Sequence, residues 1–200
     1  MKTTKWIVFD VTGVIVPFTL KNSQGYTVAT RHFFQNDLEG VFFTKDYKNY
    51  MLGTLSHEQF IGRYIQKNKL DLSIAEFDEI FKKDVTPTPG MKELIEKLSR
   101  KYKIALASNE GKMFAKYKIE GSGTLPYLSK IVVSYLVREI KPSINFYKKL
   151  LIKINAQPDE CVFIDDTKEN VDAANSLLMK GIVFKDVNQL EKDLHVLQLM

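Results

Sequence analysis

The sequence is poor in the residues that mark disulfide-linked, zinc-binding and membrane-spanning proteins. Its 200 residues include one cysteine, Cys161, which excludes an internal disulfide and a cysteine-based zinc site. The three histidines, His32, His57 and His195, have no spacing typical of metal ligands. The first strongly apolar run, at 6–9, is too short for a membrane span or the core of a signal peptide. We therefore expect a cytoplasmic protein that does not contact a membrane.

The sequence also lacks a concentrated basic region, although its net charge is +5. Residues 17–89 contain nine basic and nine acidic side chains, so the whole excess lies outside this segment. There the lysines are scattered among Asp and Glu, with no arginine-rich run and no alternation of basic and aromatic residues. This pattern indicates a solvated basic surface that steers small anions, and no nucleic-acid partner.

Short apolar runs alternate with helical patterns along most of the chain. The runs lie at 5–9, 103–107, 130–134, 161–164 and 181–184, and near-continuous apolar runs are typical of strands covered on both faces. Helical periodicity follows at 90–101, 142–154, 168–178 and 187–197. This alternation predicts an α/β fold with a doubly wound, Rossmann-like parallel sheet.

The segment between the first two predicted strands is too long for one crossover connection. It contains helical patterns at 45–52, 56–67 and 73–83, and the last two begin with capping-box spacings, Ser56 to Gln59 and Ser73 to Glu76. We therefore predict two parts: a catalytic core made of residues 1–16 and 89–200, and an inserted helical cap made of residues 17–88.

Polar side chains follow the predicted strands at the edge where doubly wound sheets bind ligands. They are Asp10 after the first strand, Ser108 and Asn109 after the second, Lys141 before the helix at 142, and Asp165 and Asp166 after the fourth. Neighbouring carboxylates repel each other unless a cation joins them, and oxygen ligands suit Mg²⁺. An ammonium and a hydroxyl beside them would suit a phosphoryl group, which a carboxylate can attack.

The same segments resemble, in order and spacing, the four motifs of the haloacid dehalogenase-like (HAD) hydrolase superfamily. The matching segments are 7–15 around Asp10, 106–109, Lys141-Pro142, and 163–170 from Phe163 to Asn170. The helical insertion after the first motif also matches, so the resemblance covers the whole chain. The stretch 134–147 followed by 162–166 is similar to the branch that contains sugar-phosphate phosphatases and the phosphatase domain of epoxide hydrolases.

The resemblance implies Mg²⁺ as the cofactor and identifies its ligands. Asp10 would be both the nucleophile and a metal ligand, and Thr12 would bind the metal through its backbone carbonyl. Asp165 would hold the metal, and Asp166 would either orient a water on it or bind it directly.

The resemblance also implies how a small phosphorylated metabolite is bound. Ser108 would bind the phosphoryl oxygens with the backbone amide of Asn109, and Lys141 would balance the charge around an aspartyl-phosphate. The expected enzyme is a Mg²⁺-dependent phosphatase, and either a monomer or a homodimer would be compatible with the sequence.

Thr12 departs from the family pattern, which usually has a general acid/base aspartate two residues after the nucleophile. A threonine hydroxyl has too high a pKa for that role at neutral pH. Two alternatives therefore stay open: a dehalogenase or phosphonatase on the same fold, and a slow or catalytically silent binding protein. A cap residue such as His32, Asp37 or Glu39 is a further candidate for the proton transfer.

Overall fold

The computed structural model describes residues 3–17, 26–28, 31–33 and 38–200. A five-stranded parallel sheet has the order β5-β4-β1-β6-β7. Its strands are β1 (Trp6–Phe9), β4 (Lys103–Ser108), β5 (Lys130–Val133), β6 (Cys161–Asp165) and β7 (Lys180–Val183). Each predicted apolar run corresponds to one of these strands, so the predicted doubly wound sheet is confirmed. Because β1 lies between β4 and β6, the strand that Asp10 follows is adjacent to the two strands that end in Ser108 and Asp165.

Helices connect the strands and form the inserted segment. They are α1 (Lys45–Met51), α2 (His57–Lys67), α3 (Ile74–Asp84), α4 (Met91–Ser99), α5 (Lys112–Gly121), α6 (Ser134–Val137), α7 (Ile144–Ile154), α8 (Lys168–Ser176) and α9 (Val187–Val196). Short 3-10 helices lie at Gly40–Phe43, Leu125–Tyr127 and Pro158–Glu160. Within these described stretches, no helix has the length and apolarity that crossing a bilayer requires.

The predicted helix starts are confirmed where local hydrogen bonding determines them. Ser56 and Ser73 each form a capping box with the residue three positions on, so side chain and backbone satisfy each other's free groups. The Asp186 carboxylate accepts a hydrogen bond from the Gln189 amide at the start of α9.

Both faces of the sheet are covered by helices. On one face, α4 and α9 bury Leu94, Leu98 and Leu190 against β1, β4 and β6. On the other face, α7 and α8 bury Phe146 and Ala174. Polar groups at the carboxyl ends of the central strands are therefore surrounded by apolar layers, which lowers the local dielectric and strengthens their electrostatic interactions.

The sequence did not predict the hairpin of the inserted segment, helix α5, the short helix α6 or the three 3-10 helices. The antiparallel hairpin of β2 (Tyr26–Val28) and β3 (Arg31–Phe33) has strands of three residues, too short for a recognisable alternation. Helix α5 contributes Phe114 to the apolar cluster of the inserted helices and Ile119 to the sheet cluster. A helix buried on more than one side lacks the single apolar stripe that predicts an amphipathic helix.

The inserted helices pack directly onto α5 and the loops beside the sheet. The Phe114 ring stacks on Phe81 with a centroid separation of 4.1 Å. The Tyr50 hydroxyl accepts a hydrogen bond from the Met113 amide at 2.9 Å, and the Ser134 hydroxyl donates one to the Met51 carbonyl at 2.7 Å. These contacts hold α1 against α5 and the start of α6.

Candidate active site

Three charged side chains meet at the carboxyl edge of the sheet. Lys141 Nζ lies 2.9 Å from Asp10 Oδ1 and 2.7 Å from Asp165 Oδ2. Asp10 follows β1 directly and Asp165 ends the neighbouring β6, so sheet pairing sets the separation of the two carboxylates. All three residues are buried, and a buried charge is stable only when it is paired in this way.

The backbone of Lys141 is held by the Asn109 side chain. Asn109 Oδ1 accepts a hydrogen bond from the Lys141 amide at 2.7 Å, and its Nδ2 donates one to the Lys141 carbonyl at 2.9 Å. The side chain of Asn109 therefore joins the end of β4 to the loop before α7. This role differs from the backbone contact implied by the family resemblance, and both contacts can coexist in one residue.

Burial and the neighbouring charges shift the pKa values of this cluster. Burial, opposed by Lys141 and reinforced by Asp165, raises the pKa of Asp10 to about 7. Burial by itself lowers the pKa of Lys141, but the Asp10 and Asp165 carboxylates outweigh it and keep that pKa above its ordinary value. Burial and the Asp165 charge also raise the pKa of Asp166. The cluster thus has an excess of carboxylates that a cation would relieve.

Asp10, Asp165 and Asp166 fit a divalent cation. One carboxylate oxygen from each can be chosen so that all three lie within 4.8 Å of one another. Asp165 is held in place by Asn170 Nδ2 at 2.9 Å and by the Thr167 amide at 3.0 Å. Three carboxylates against one ammonium leave negative charge uncompensated, and oxygen ligands of this kind suit Mg²⁺.

Glycine is required where the loop after β1 approaches Asp166. Gly13 has φ = 91°, in the region that L residues rarely adopt. A Cβ atom at this position would lie 2.1 Å from Asp166 Oδ2. The glycine therefore allows the first loop and the fourth-motif carboxylate to lie in contact.

The Ser108 hydroxyl is buried with no hydrogen-bond partner. Among the residues that the structure describes, its Oγ is the one buried polar side-chain atom left unpaired. An unpaired buried hydroxyl is costly, so such an atom at the end of a central strand indicates a partner that binds there. A phosphoryl oxygen beside Lys141 would supply that partner.

Thr12 is hydrogen-bonded to a buried ion pair that was not predicted from the sequence. Lys118 Nζ donates to Thr12 Oγ1 at 2.9 Å and forms a very short ion pair with Glu110. The Tyr47 hydroxyl donates to Glu110 Oε1 at 3.0 Å. Glu110 directly follows Ser108 and Asn109 at the end of β4, so its position in the sequence could have identified it as a site residue. Lys118 lies on α5, a helix that the sequence did not predict.

The cap residues considered for proton transfer, His32, Asp37 and Glu39, stay candidates for that role. Asp37 lies outside the described residues, and the His32 side chain is exposed on β3. Among the described residues, Lys118 is the one whose side chain forms a hydrogen bond with Thr12.

Comparisons with known proteins relate this site to a family. The profile of the haloacid dehalogenase-like hydrolases matches residues 7–184. The sequence is 35% identical over 68 residues to flavin mononucleotide hydrolase 1 of Arabidopsis thaliana, covering 34% of this chain and only 28% of that protein. It is 23% identical over 181 residues to a phosphorylated carbohydrates phosphatase of Thermotoga maritima, covering 85% of this chain and 80% of that protein.

Solved structures show the same fold. A HAD family enzyme of Bacteroides thetaiotaomicron, determined with magnesium and inorganic phosphate, has a TM-score of 0.74 at 19% identity, covering 94% of this chain and 98% of that one. The L-2-haloacid dehalogenase of Xanthobacter autotrophicus has a TM-score of 0.66 at 14% identity, covering 99% of this chain and 85% of that one.

Proposed function

The chain belongs to the haloacid dehalogenase-like hydrolase family, and on this basis we propose that it hydrolyses small phosphate monoesters through an aspartyl-phosphate on Asp10. The observation that carries the proposal is the buried contact of Lys141 with both Asp10 and Asp165. That contact places a fixed positive charge beside the nucleophile, where a phosphoryl group would bring negative charge.

In the first step an oxygen of the ionised Asp10 attacks phosphorus, and the bond to the ester oxygen breaks with its electron pair on the leaving group. Lys141 neutralises charge on the phosphoryl oxygens, and the Ser108 hydroxyl donates a hydrogen bond to one of them. In the second step water attacks phosphorus, and the bond between phosphorus and the Asp10 oxygen breaks with its electron pair on the carboxylate. Asp10 is thereby regenerated in its ionised form, and the protons of the water leave with inorganic phosphate.

Asp10, Asp165 and Asp166 would hold Mg²⁺ together with the backbone carbonyl of Thr12. When bound, the ion supplies positive charge that favours ionised carboxylates and stabilises charge on the phosphoryl group. Asn170 and the Thr167 amide orient Asp165 for this role.

We also propose that the chain divides into a core of residues 1–16 and 89–200 and a cap of residues 17–88. The cap supplies Tyr47 to the buried network beside the site, which supports a role for it in enclosing the substrate. The two curated relatives, named for flavin mononucleotide and for phosphorylated carbohydrates, suggest substrates in which a phosphate is attached to a polar carbon skeleton.

The test is a panel of phosphate monoesters that includes p-nitrophenyl phosphate, flavin mononucleotide and hexose phosphates, assayed with Mg²⁺ and with EDTA. We expect phosphate release that needs Mg²⁺, disappears in Asp10→Asn and persists in Asp172→Asn. Asp172 is the matched control because its side chain is 57% exposed and pairs with the exposed Lys168. Equal turnover by wild type and Asp10→Asn would contradict the proposal.

A 2-haloacid assayed without metal tests the dehalogenase alternative. Displacement at carbon needs no cation, so it offers no reason for three clustered carboxylates. Halide release in EDTA without any phosphatase activity would favour that alternative.

A further inference from the structure

The Thr12 hydroxyl is hydrogen-bonded to an ammonium group, which can only donate hydrogen bonds. Lys118 Nζ lies 2.9 Å from Thr12 Oγ1, and an ammonium carries three N–H donors and no acceptor. The Thr12 oxygen is therefore the acceptor in this contact. Its own proton must then point away from Lys118, towards a different acceptor.

Lys118 is held in this position by a fully buried partner. Glu110 has no exposed surface, and its carboxylate accepts from Lys118, from the Tyr47 hydroxyl and from the Gly111 amide. Lys118 itself is 5% exposed. An ion pair buried this deeply with its remaining hydrogen bonds satisfied has little freedom to rearrange, because separating it would leave an uncompensated charge.

Among the residues that the structure describes, Lys118 alone forms a hydrogen bond with the Thr12 side chain. Thr12 is two residues beyond Asp10, on the loop that turns back through Gly13 to pair with Val16. The loop therefore carries the Thr12 hydroxyl at the edge of the sheet where Asp10 lies, and no described residue accepts its proton.

We propose that Glu110 and Lys118 orient Thr12 so that its hydroxyl donates a hydrogen bond to the ester oxygen that leaves phosphorus. This inference rests on the proposed phosphatase function and deepens it. Lys118 and Glu110 are positioning residues, and Thr12 is the residue that contacts the reacting oxygen.

The step needs no proton transfer from the protein. As Asp10 forms its bond to phosphorus, the phosphorus–ester bond breaks and its electron pair stays on the leaving oxygen. The Thr12 hydroxyl keeps its proton and stabilises the developing charge, and the released oxyanion takes a proton from water. A hydrogen bond to a charged oxygen is worth roughly 10–100-fold in rate, less than the ~10²–10⁴-fold of general acid catalysis. The site therefore selects esters whose leaving groups need little protonation, such as aryl, acyl or anomeric sugar phosphates.

The experiment measures the rate of the first step, as the pre-steady-state burst of released alcohol or phenol and as kcat/KM, with Mg²⁺ for phosphate monoesters ranging from p-nitrophenyl to simple alkyl phosphates. Thr12→Val, which removes the hydroxyl at nearly constant shape, should lower this rate for alkyl phosphates by roughly 10–100-fold and for p-nitrophenyl phosphate far less. Thr12→Ser should restore much of the loss.

The positioning role is tested with the double variant Glu110→Gln, Lys118→Met, which removes both charges together, and with Lys116→Met as the control on the exposed face of α5. The double variant should show the same selective loss on alkyl phosphates as Thr12→Val, and the control should match wild type. If the double variant does not fold, the comparison of Thr12→Val with Thr12→Ser decides the proposal.

Equal leaving-group dependence in wild type and Thr12→Val would overturn the inference while leaving the phosphatase function intact. Wild-type protein without any phosphate release that depends on Asp10 would overturn both.

Discussion

Replacing Asp10 by asparagine should stabilise the metal-free protein near neutral pH, although it removes the nucleophile. Burial is the main reason that the pKa of Asp10 lies at about 7, compared with an ordinary value of 3.8. Ionised Asp10 is therefore less stable in the folded protein than in the unfolded chain. Asparagine keeps an oxygen that can accept from the Val11 amide and from Lys141, so the neighbouring contacts survive.

The sign of the pH dependence follows from proton binding. Between pH 3.8 and about 7 the folded protein holds the Asp10 proton while the unfolded chain has lost it. The free energy of unfolding of wild type therefore falls as pH rises through this window, and the difference between the two pKa values corresponds to about 4 kcal/mol at full effect. Asparagine does not titrate, so the advantage of Asp10→Asn should grow from near zero at low pH to on the order of 2–4 kcal/mol above neutrality.

Urea unfolding in EDTA from roughly pH 4.5 to pH 8 measures this difference, with Asp172→Asn as the control for loss of an exposed carboxylate. The control should follow wild type at every pH. An Asp10→Asn protein that is less stable than wild type above neutrality, or an advantage that does not change with pH, would refute the explanation by burial.

Three further outcomes are expected. Asp165→Ala should weaken Mg²⁺ binding measured by calorimetry, and an unchanged affinity would contradict its assignment as a ligand. Wild type should show an initial burst followed by slow turnover in stopped-flow assays, because position 12 has no carboxylate to activate water. Thr12→Asp should speed the slow phase, and burst-free kinetics with a slower variant would contradict this. Gly13→Ala should weaken Mg²⁺ binding by displacing Asp166, since the new Cβ would lie 2.1 Å from its carboxylate. Gly62→Ala, where the nearest atom is 3.7 Å away, should bind Mg²⁺ normally, and equal affinities in the two variants would argue against a steric effect.

The parallel sheet was predictable because its signals are local. A strand buried on both faces must be apolar throughout, so Cys161–Asp165 and its neighbours are recognisable without knowledge of their partners. Capping boxes are equally local, because Ser56 and Ser73 bond within their own first turns. The resemblance in the four motifs is likewise confirmed by the family match over residues 7–184.

The convergence of Asp10, Ser108, Lys141 and Asp165 followed from one rule of topology. Parallel strands present their carboxyl ends at a single edge, so polar residues at those ends lie together once the strand order is known. Their catalytic and metal-binding roles stay predictions that the experiments above address.

The sequence by itself determined the strands of the parallel sheet, the capped helices and the set of polar residues at the sheet edge, because each depends on neighbours within a few positions. Only the tertiary structure decided what surrounds Thr12. Lys118 is 106 residues from Thr12 along the chain, and Tyr47 and Glu110 are 63 residues apart. The helix that carries Lys118 is buried on more than one side, so its sequence has no single apolar stripe from which the helix could be predicted. Contacts between such distant residues arise from the packing of α1 against α5 and of α5 against the sheet, and short-range sequence patterns carry no record of that packing.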